Sequence, residues 1–345
     1  MKNNRYLNMS YAVECPNSRI NGSSSDVERN TTGFDNISFT KKINGKPYIS
    51  PYCEKKGMKR HMSDEGFEIS EYKKNGKKIT IEAHPQKYIN ENLFGFMRAD
   101  KEEISEEEYN RLDDNIKKLY KKSKNKYERN VTKKRKGNFA LNGMIGVTRG
   151  SVNKEYGICK AVNESMPYVL ETYSDMLVGL GNLNINEVGK FTISDIESEF
   201  RDYSEDEAKI LNIQEELPKE EKFKRIEVAL RSLEYLSINS NQSNYLTDTM
   251  PKIVILGEYK WGNNMFQGLI NKDGINTEGL KEIIEEYDEF RNSNIYIGIS
   301  NRIMNENFQG LKEKLTKELS EYDFIKISGV KKAFDGYLDY LKETL

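Results

Sequence analysis

The sequence predicts an α+β fold. Alternating apolar residues mark candidate strands, and apolar residues three or four apart mark candidate helices. The two kinds of segment interleave irregularly, unlike the repeated strand–helix order of a doubly wound sheet. The 345 residues include 36% hydrophobic and 10% aromatic side chains, among them 21 Tyr. That is enough apolar material for a core, although 32% of the chain is charged.

Arg5–Val13 alternates around Tyr6, Met9 and Tyr11 and reads as the opening strand. Asn17–Thr32 is rich in Ser, Asn and Gly and reads as a long surface loop. A second strand is expected from Phe34 to Ile43, closed by Asn44-Gly45, because a type I′ turn needs positive φ at both central positions. Ser50 as N-cap and Pro51 at the first helical position then start a helix. Farther on, Phe139–Thr148 and Glu155–Val162 read as a hairpin across Gly150-Ser151, with further strands at Tyr168–Ser174 and Met176–Ile185. Helices are expected at Glu205–Leu211 and Glu220–Leu236, and an Asn-rich loop spans Ser237–Asp248. A buried strand at Lys252–Tyr259 and a short one at Ile295–Ile299 complete the set, with helices at Gly279–Phe290, Gln309–Tyr322 and Gly329–Glu343.

Several function classes are disfavoured by counting. Cys15, Cys53 and Cys159 are odd in number and far apart, which leaves no disulfide framework and no C-x-x-C metal site. His61 and His84 lack ligand spacing, so zinc catalysis and Ser-His-Asp chemistry are not expected. No run approaches the roughly 18 apolar residues of a membrane span. The first residues lack the apolar core of a signal peptide, so the expected location is the cytoplasm.

The formal net charge of −1 hides a polarised segment. Arg98–Ile116 carries a net −5 and Lys117–Lys136 a net +10. Ser105 and Glu108 form a capping-box pattern, and Tyr109, Leu112, Ile116, Leu119 and Tyr120 give an amphipathic helical spacing. The basic half, ending in Lys133, Lys134, Arg135 and Lys136, then reads as a tail or loop leading into a strand. Two readings fit residues 98–137: a solvated charged insertion, or a flap whose local positive density binds phosphates.

The helix after Ser50 is the more informative constellation. Lys55 and Lys59 lie at i and i+4, as do Lys56 and Arg60, giving two adjacent cationic stripes. An exposed basic face explains them; so does a phosphate backbone lying across the helix, which offsets the repulsion between like charges. Gly57 inside the helix costs about 1 kcal/mol against Ala, which implies close approach of another element or a ligand. Tyr48 and Tyr52 flank the helix start; a lone Tyr of this kind more often packs in a core or at its rim than stacks on a base.

The order strand, Asn44-Gly45-Lys46-Pro47-Tyr48-Ile49-Ser50-Pro51, then a helix bearing Lys55 and Lys59 resembles the opening of the DevR-type CRISPR-associated autoregulator family. Further likenesses follow in the family's order. They are Leu93–Met97, the basic run before Phe139–Thr148, Tyr173-Ser174, Val188-Gly189, a helix from Arg225, the Asn-rich loop, and Pro251 before a strand. Together they span about residues 5–262.

The resemblance implies a single modified RRM-like (ferredoxin-like) palm over residues 1–345, with insertions at 98–137 and a thumb at 186–249. It implies an RNA-binding backbone subunit of a type I Cascade complex, most like the I-B branch. Copies would stack along CRISPR RNA with other Cascade subunits, and target DNA would be read through the guide duplex. By this likeness Lys55 and Lys59 contact RNA phosphates and Ser50 opens their helix, with Lys41, Lys42, Arg149, Asn241 and Gln242 as further RNA contacts. Such contacts fix position and read no sequence. No strand resembles the aromatic base-stacking strands of ordinary RNA-recognition domains, which favours phosphate gripping. No cofactor, metal or catalytic residue is expected.

Two alternatives belong to other classes. RNA-cleaving relatives carry an Asp before the Pro47-like position, where Asp35 stands, on the same loop as Asp26 and Glu28. It either supports metal-assisted cleavage or simply caps its loop. A protein scaffold without RNA would instead use the acidic helix and the Tyr-rich surface. Phosphate binding weakens steeply with salt and an apolar interface does not.

Overall fold

A computed structural model describes residues 4–20, 22–23, 37–75, 78–99, 101–112, 117, 120–130, 132–160, 164–195 and 200–345. Asp26, Glu28, Asp35, the expected strand start at Phe34 and most of the Asn17–Thr32 loop lie outside them. The chain forms two compact units. The first comprises Met1–Glu65, Phe139–Asn186 and Ile226–Leu345; the second comprises Gly66–Asn138 and Glu187–Arg225.

An 11-stranded, mainly antiparallel sheet organises the first unit. Its labelled strands are β1 (Tyr6–Ser18), β2 (Ile37–Thr40), β3 (Lys42–Ile43) and β4 (Lys46–Ile49), followed by helix α1 (Pro51–Asp64). Then come β5 (Phe139–Gly146), β6 (Val152–Lys160) and β7 (Ser165–Asn184). Helix α2 (Lys219–Glu234) belongs to this unit from Ile226 onward. The remainder is β8 (Ile253–Tyr259), α3 (Thr277–Tyr287), β9 (Ile295–Ile299), α4 (Leu311–Glu318), β10 (Ile325–Ser328) and α5 (Val330–Thr344).

The strand order is β10–β9–β8–β1–β7–β5–β4–β3. β2 and β6 join through β7, and the short strand Gly22–Ser23 pairs with β2. The mixed α+β class therefore holds. Central β1 and β8 are buried almost throughout, as strands covered on both faces must be. A large apolar cluster on one side joins Ile253, Ile255, Ile295 and Ile297 of the sheet to Phe266, Leu280, Phe308 and Leu315.

Three sequence expectations change here. β1 extends to Ser18, since Glu14 and Cys15 remain buried and paired with β7. The two strands expected at Tyr168–Ser174 and Met176–Ile185 are one 20-residue strand. Phe139–Thr148 and Glu155–Val162 do not form a hairpin with each other. Instead β5 and β6 run in succession along β7, from Phe139↔Leu183 to Gly146↔Leu177, then from Val152↔Tyr173 to Lys160↔Ser165.

In the second unit the acidic and basic segments fold onto each other. Lys101–Ile104 pairs with Lys126–Asn130, which also pairs with Lys121–Ser123. Lys126–Glu103 (3.0 Å), Lys101–Glu128 (3.2 Å) and Lys122–Glu106 (3.2 Å) lace them together. The expected basic tail is therefore largely strand, because alternation and opposite charge supply partners for backbone and side chains alike. Ser105 and Glu108 do form the capping box of a short helix, Glu106–Asn110.

Candidate nucleic-acid interface

Local signals place α1 where the sequence expects it. Asn44 and Gly45 have φ of 52° and 75°, the two positive values a type I′ turn requires. β3 and β4 close around them through Lys42↔Pro47 and Ile43↔Lys46. Ser50 holds the N-cap position, and its carbonyl accepts from Cys53 N at 2.9 Å and Glu54 N at 3.2 Å. Its hydroxyl makes no capping bond, so Pro51 and the preset backbone start this helix.

The inner face of α1 is Glu54, Gly57, Met58 and Met62, all buried. A Cβ on Gly57 would lie 2.6 Å from Ser237 O, so the close approach is a neighbouring backbone rather than a ligand. Glu54 accepts from Tyr11 Oη at 3.0 Å, and its other oxygen, Oε1, has no partner. Complete burial pushes the Glu54 carboxyl up to about 8. The same burial, with Glu54 alongside, drives Tyr11 well above the usual phenol range.

The other face carries the cations. Lys56 is exposed, and Lys55, Lys59 and Arg60 are half-buried. Partial burial lowers the Lys55 pKa, Lys59 lowers it further, and Glu54 opposes both. A partly desolvated ammonium beside a second one gains from an approaching phosphate. Lys41 and Lys56 both lie close enough to Cys53 to pull its thiol down against the rise caused by burial.

Two further sequence candidates lie on the elements that precede α1 or pack against them. Lys41 sits 5.2 Å from the centre of the Tyr48 ring. Exposed Arg149 approaches the Asn44-Gly45 turn, with Nε 3.5 Å from the position of a Cβ on Gly45. Tyr52, for which the sequence favours packing, is 84% exposed on the first turn.

Other candidates already serve the fold. Lys42 pairs with both oxygens of Glu171 at 2.9 and 3.0 Å. Asn241 donates to Arg19 O at 3.0 Å. Gln242 donates to Ile238 O and accepts from Thr247 N, both at 2.8 Å, which shapes the Asn-rich loop. Arg19 therefore positions that loop, a role with no sequence signal because its partner is 222 residues away.

Lys133, Lys134, Arg135 and Lys136 belong to the second unit. Lys133–Arg135 is a strand paired with Phe96–Arg98, so its side chains alternate. Lys133 meets Glu207 at 2.6 Å, and Arg135 bonds Asp202 in a bridge buried on both sides. Lys134 and Lys136 are exposed.

Among the described residues, no group of three or more His, Cys, Asp or Glu is arranged to hold a metal. Among those residues, no helix is long and apolar enough to cross a membrane. What α1 and its neighbours offer chemically is a set of cations and donors on a rigid support, suited to holding an anionic polymer.

No family model and no curated protein matches the sequence. One similar solved chain belongs to a structure described as "CRISPR RNA-guided surveillance complex, pre-nicking". The likeness covers 97% of this chain and 100% of that one, at 8% identity and a TM-score of 0.52. Another, from a "CRISPR RNA-guided surveillance complex", covers 88% and 92% at 10% identity and a TM-score of 0.48. Over nearly its whole length, this chain has a fold found in a CRISPR surveillance complex.

Proposed function

We propose that the chain is the RNA-binding backbone subunit of a type I Cascade complex, of the DevR type and nearest the I-B branch. One observation carries the reading. α1 presents Lys55, Lys56, Lys59 and Arg60 over a packed inner face, with Lys41 near Cys53 of its first turn, on a fold shared with a surveillance-complex chain. The central strands then serve as an RRM-like palm, and copies of the subunit stack along CRISPR RNA with other Cascade subunits in the cytoplasm. The protein holds phosphates, and the guide reads target DNA by base pairing. The role is non-catalytic and needs no cofactor.

The test is the double variant K55E/K59E. Replacing two phosphate contacts by like charge lowers RNA affinity by about a hundredfold or more at moderate salt. The circular-dichroism spectrum stays that of the parent. A folded double variant that retains RNA as the parent does would refute the assignment.

A further inference from the structure

The cationic face of α1 carries one aromatic side chain that the fold leaves unpacked. We infer that Tyr52 stacks on a base of the RNA whose phosphates the α1 cations hold. The inference rests on the proposed RNA role of α1 and adds a contact of a different physical kind.

The helical period puts Tyr52 among the cations. Lys55 and Lys56 follow it by three and four residues and Lys59 by seven, so these side chains share one face of α1 with it. The buried residues Glu54, Gly57 and Met58 lie on the opposite face. A rise of about 1.5 Å per residue sets Tyr52 roughly 5–6 Å along the axis from Lys55 and Lys56. One nucleotide can therefore meet a lysine through its phosphate and the ring through its base.

The ring is also available. Tyr52 is 84% exposed, the most exposed tyrosine among the described residues, and among them its side chain makes no hydrogen bond, ring contact or cation–π contact. Tyr48, at the other side of the helix start, is half-buried and already has Lys41 over its ring. A single exposed apolar side chain is ordinary on a protein surface. One set between two cationic stripes is not, because backbone cations and an aromatic platform are the two parts of a single-strand binding groove. The ring has only two side-chain torsions and stands on a turn that Pro51 starts and Glu54 anchors, so ordering it on a base costs little entropy. Every base has a π face, so this contact adds affinity without reading sequence.

The test measures binding of the nucleic-acid-free full chain to a fluorescently labelled oligoadenylate, and to the same ribose–phosphate chain without bases, over a range of salt. Y52A should weaken oligoadenylate binding about tenfold, and Y52F and Y52W should restore it. Stacking releases no counterions, so the salt slope of Y52A stays that of the parent, whereas K55E/K59E flattens it. On the abasic oligomer Y52A and the parent should bind alike, and the circular-dichroism spectra should match. Parent-like affinity of Y52A for oligoadenylate would overturn the stacking and leave the α1 cations in place, as would an equal loss on the abasic oligomer. So would a Y52A chain that binds RNA normally as one copy but no longer lines up in several, which would make Tyr52 a protein contact. RNA affinity unmoved by K55E/K59E would instead refute the α1 reading and remove this inference with it.

Discussion

Two basic stretches of this molecule look alike in sequence and differ in what the fold does with them. On α1 the helical period sends Glu54, Gly57, Met58 and Met62 inward and the cations outward. At Lys133–Lys136 the strand period of two sends Lys133 and Arg135 to Glu207 and Asp202, while Lys134 and Lys136 face solvent. A charge run is therefore not a measure of available charge. The period of the element decides how much remains for a partner and how much is spent on the fold.

Breaking the inward pair should have the largest effect on stability. Arg135 also donates to Lys190 O at 2.9 Å and Asn92 O at 3.3 Å, so R135A leaves Asp202 buried without its counter-ion. A loss of about 3–5 kcal/mol is expected, read as an earlier urea transition. A cost below about 1 kcal/mol would mean that this pair behaves like a surface bridge.

The next effect sharpens the contrast from the α1 side. Glu54 holds its proton up to about 8 in the folded chain against 4.5 unfolded, so the native state binds the proton more tightly. Its contribution is complete below the unfolded value and is lost as pH rises through the window between the two. From pH 4.5 to 7 that amounts to about 2–3 kcal/mol. E54Q should flatten this slope in Tm against pH and raise Tm at neutral pH relative to the parent. An unchanged slope would show that Glu54 ionises freely in the folded protein.

The smallest effect concerns Gly57. An Ala there gains about 1 kcal/mol of helix propensity, but its Cβ falls 2.6 Å from the Ser237 carbonyl oxygen. Overpacking of this kind costs roughly 1–3 kcal/mol, so G57A should be destabilised by about 1 kcal/mol net in urea unfolding. A stabilised variant would mean that α1 shifts freely from its neighbour.

What the sequence made legible was local. The Asn44-Gly45 turn, the Pro51 start of α1, the capping box at Ser105 and the strand Ile295–Ile299 each rest on residues within a few positions of one another. The continuity of β7 was hidden because its pairing is not local and because Asp175 interrupts its apolar alternation. That carboxylate is accommodated by Ser151 Oγ at 3.0 Å, Thr148 N at 3.1 Å and Met176 N at 2.9 Å. Among the site candidates, the α1 cations could be read from helical spacing alone. The engagement of Lys133, Arg135 and Asn241 could not, since their partners lie 74, 67 and 222 residues away.

The most direct measurement is to purify the chain with its nucleic acid still bound and to sequence what it carries. Discrete short RNAs sharing a repeat-derived end are the predicted result. Mixed cellular RNA would contradict the account and leave a general basic RNA binder; no nucleic acid even at low salt would contradict it and leave α1 an ordinary basic surface.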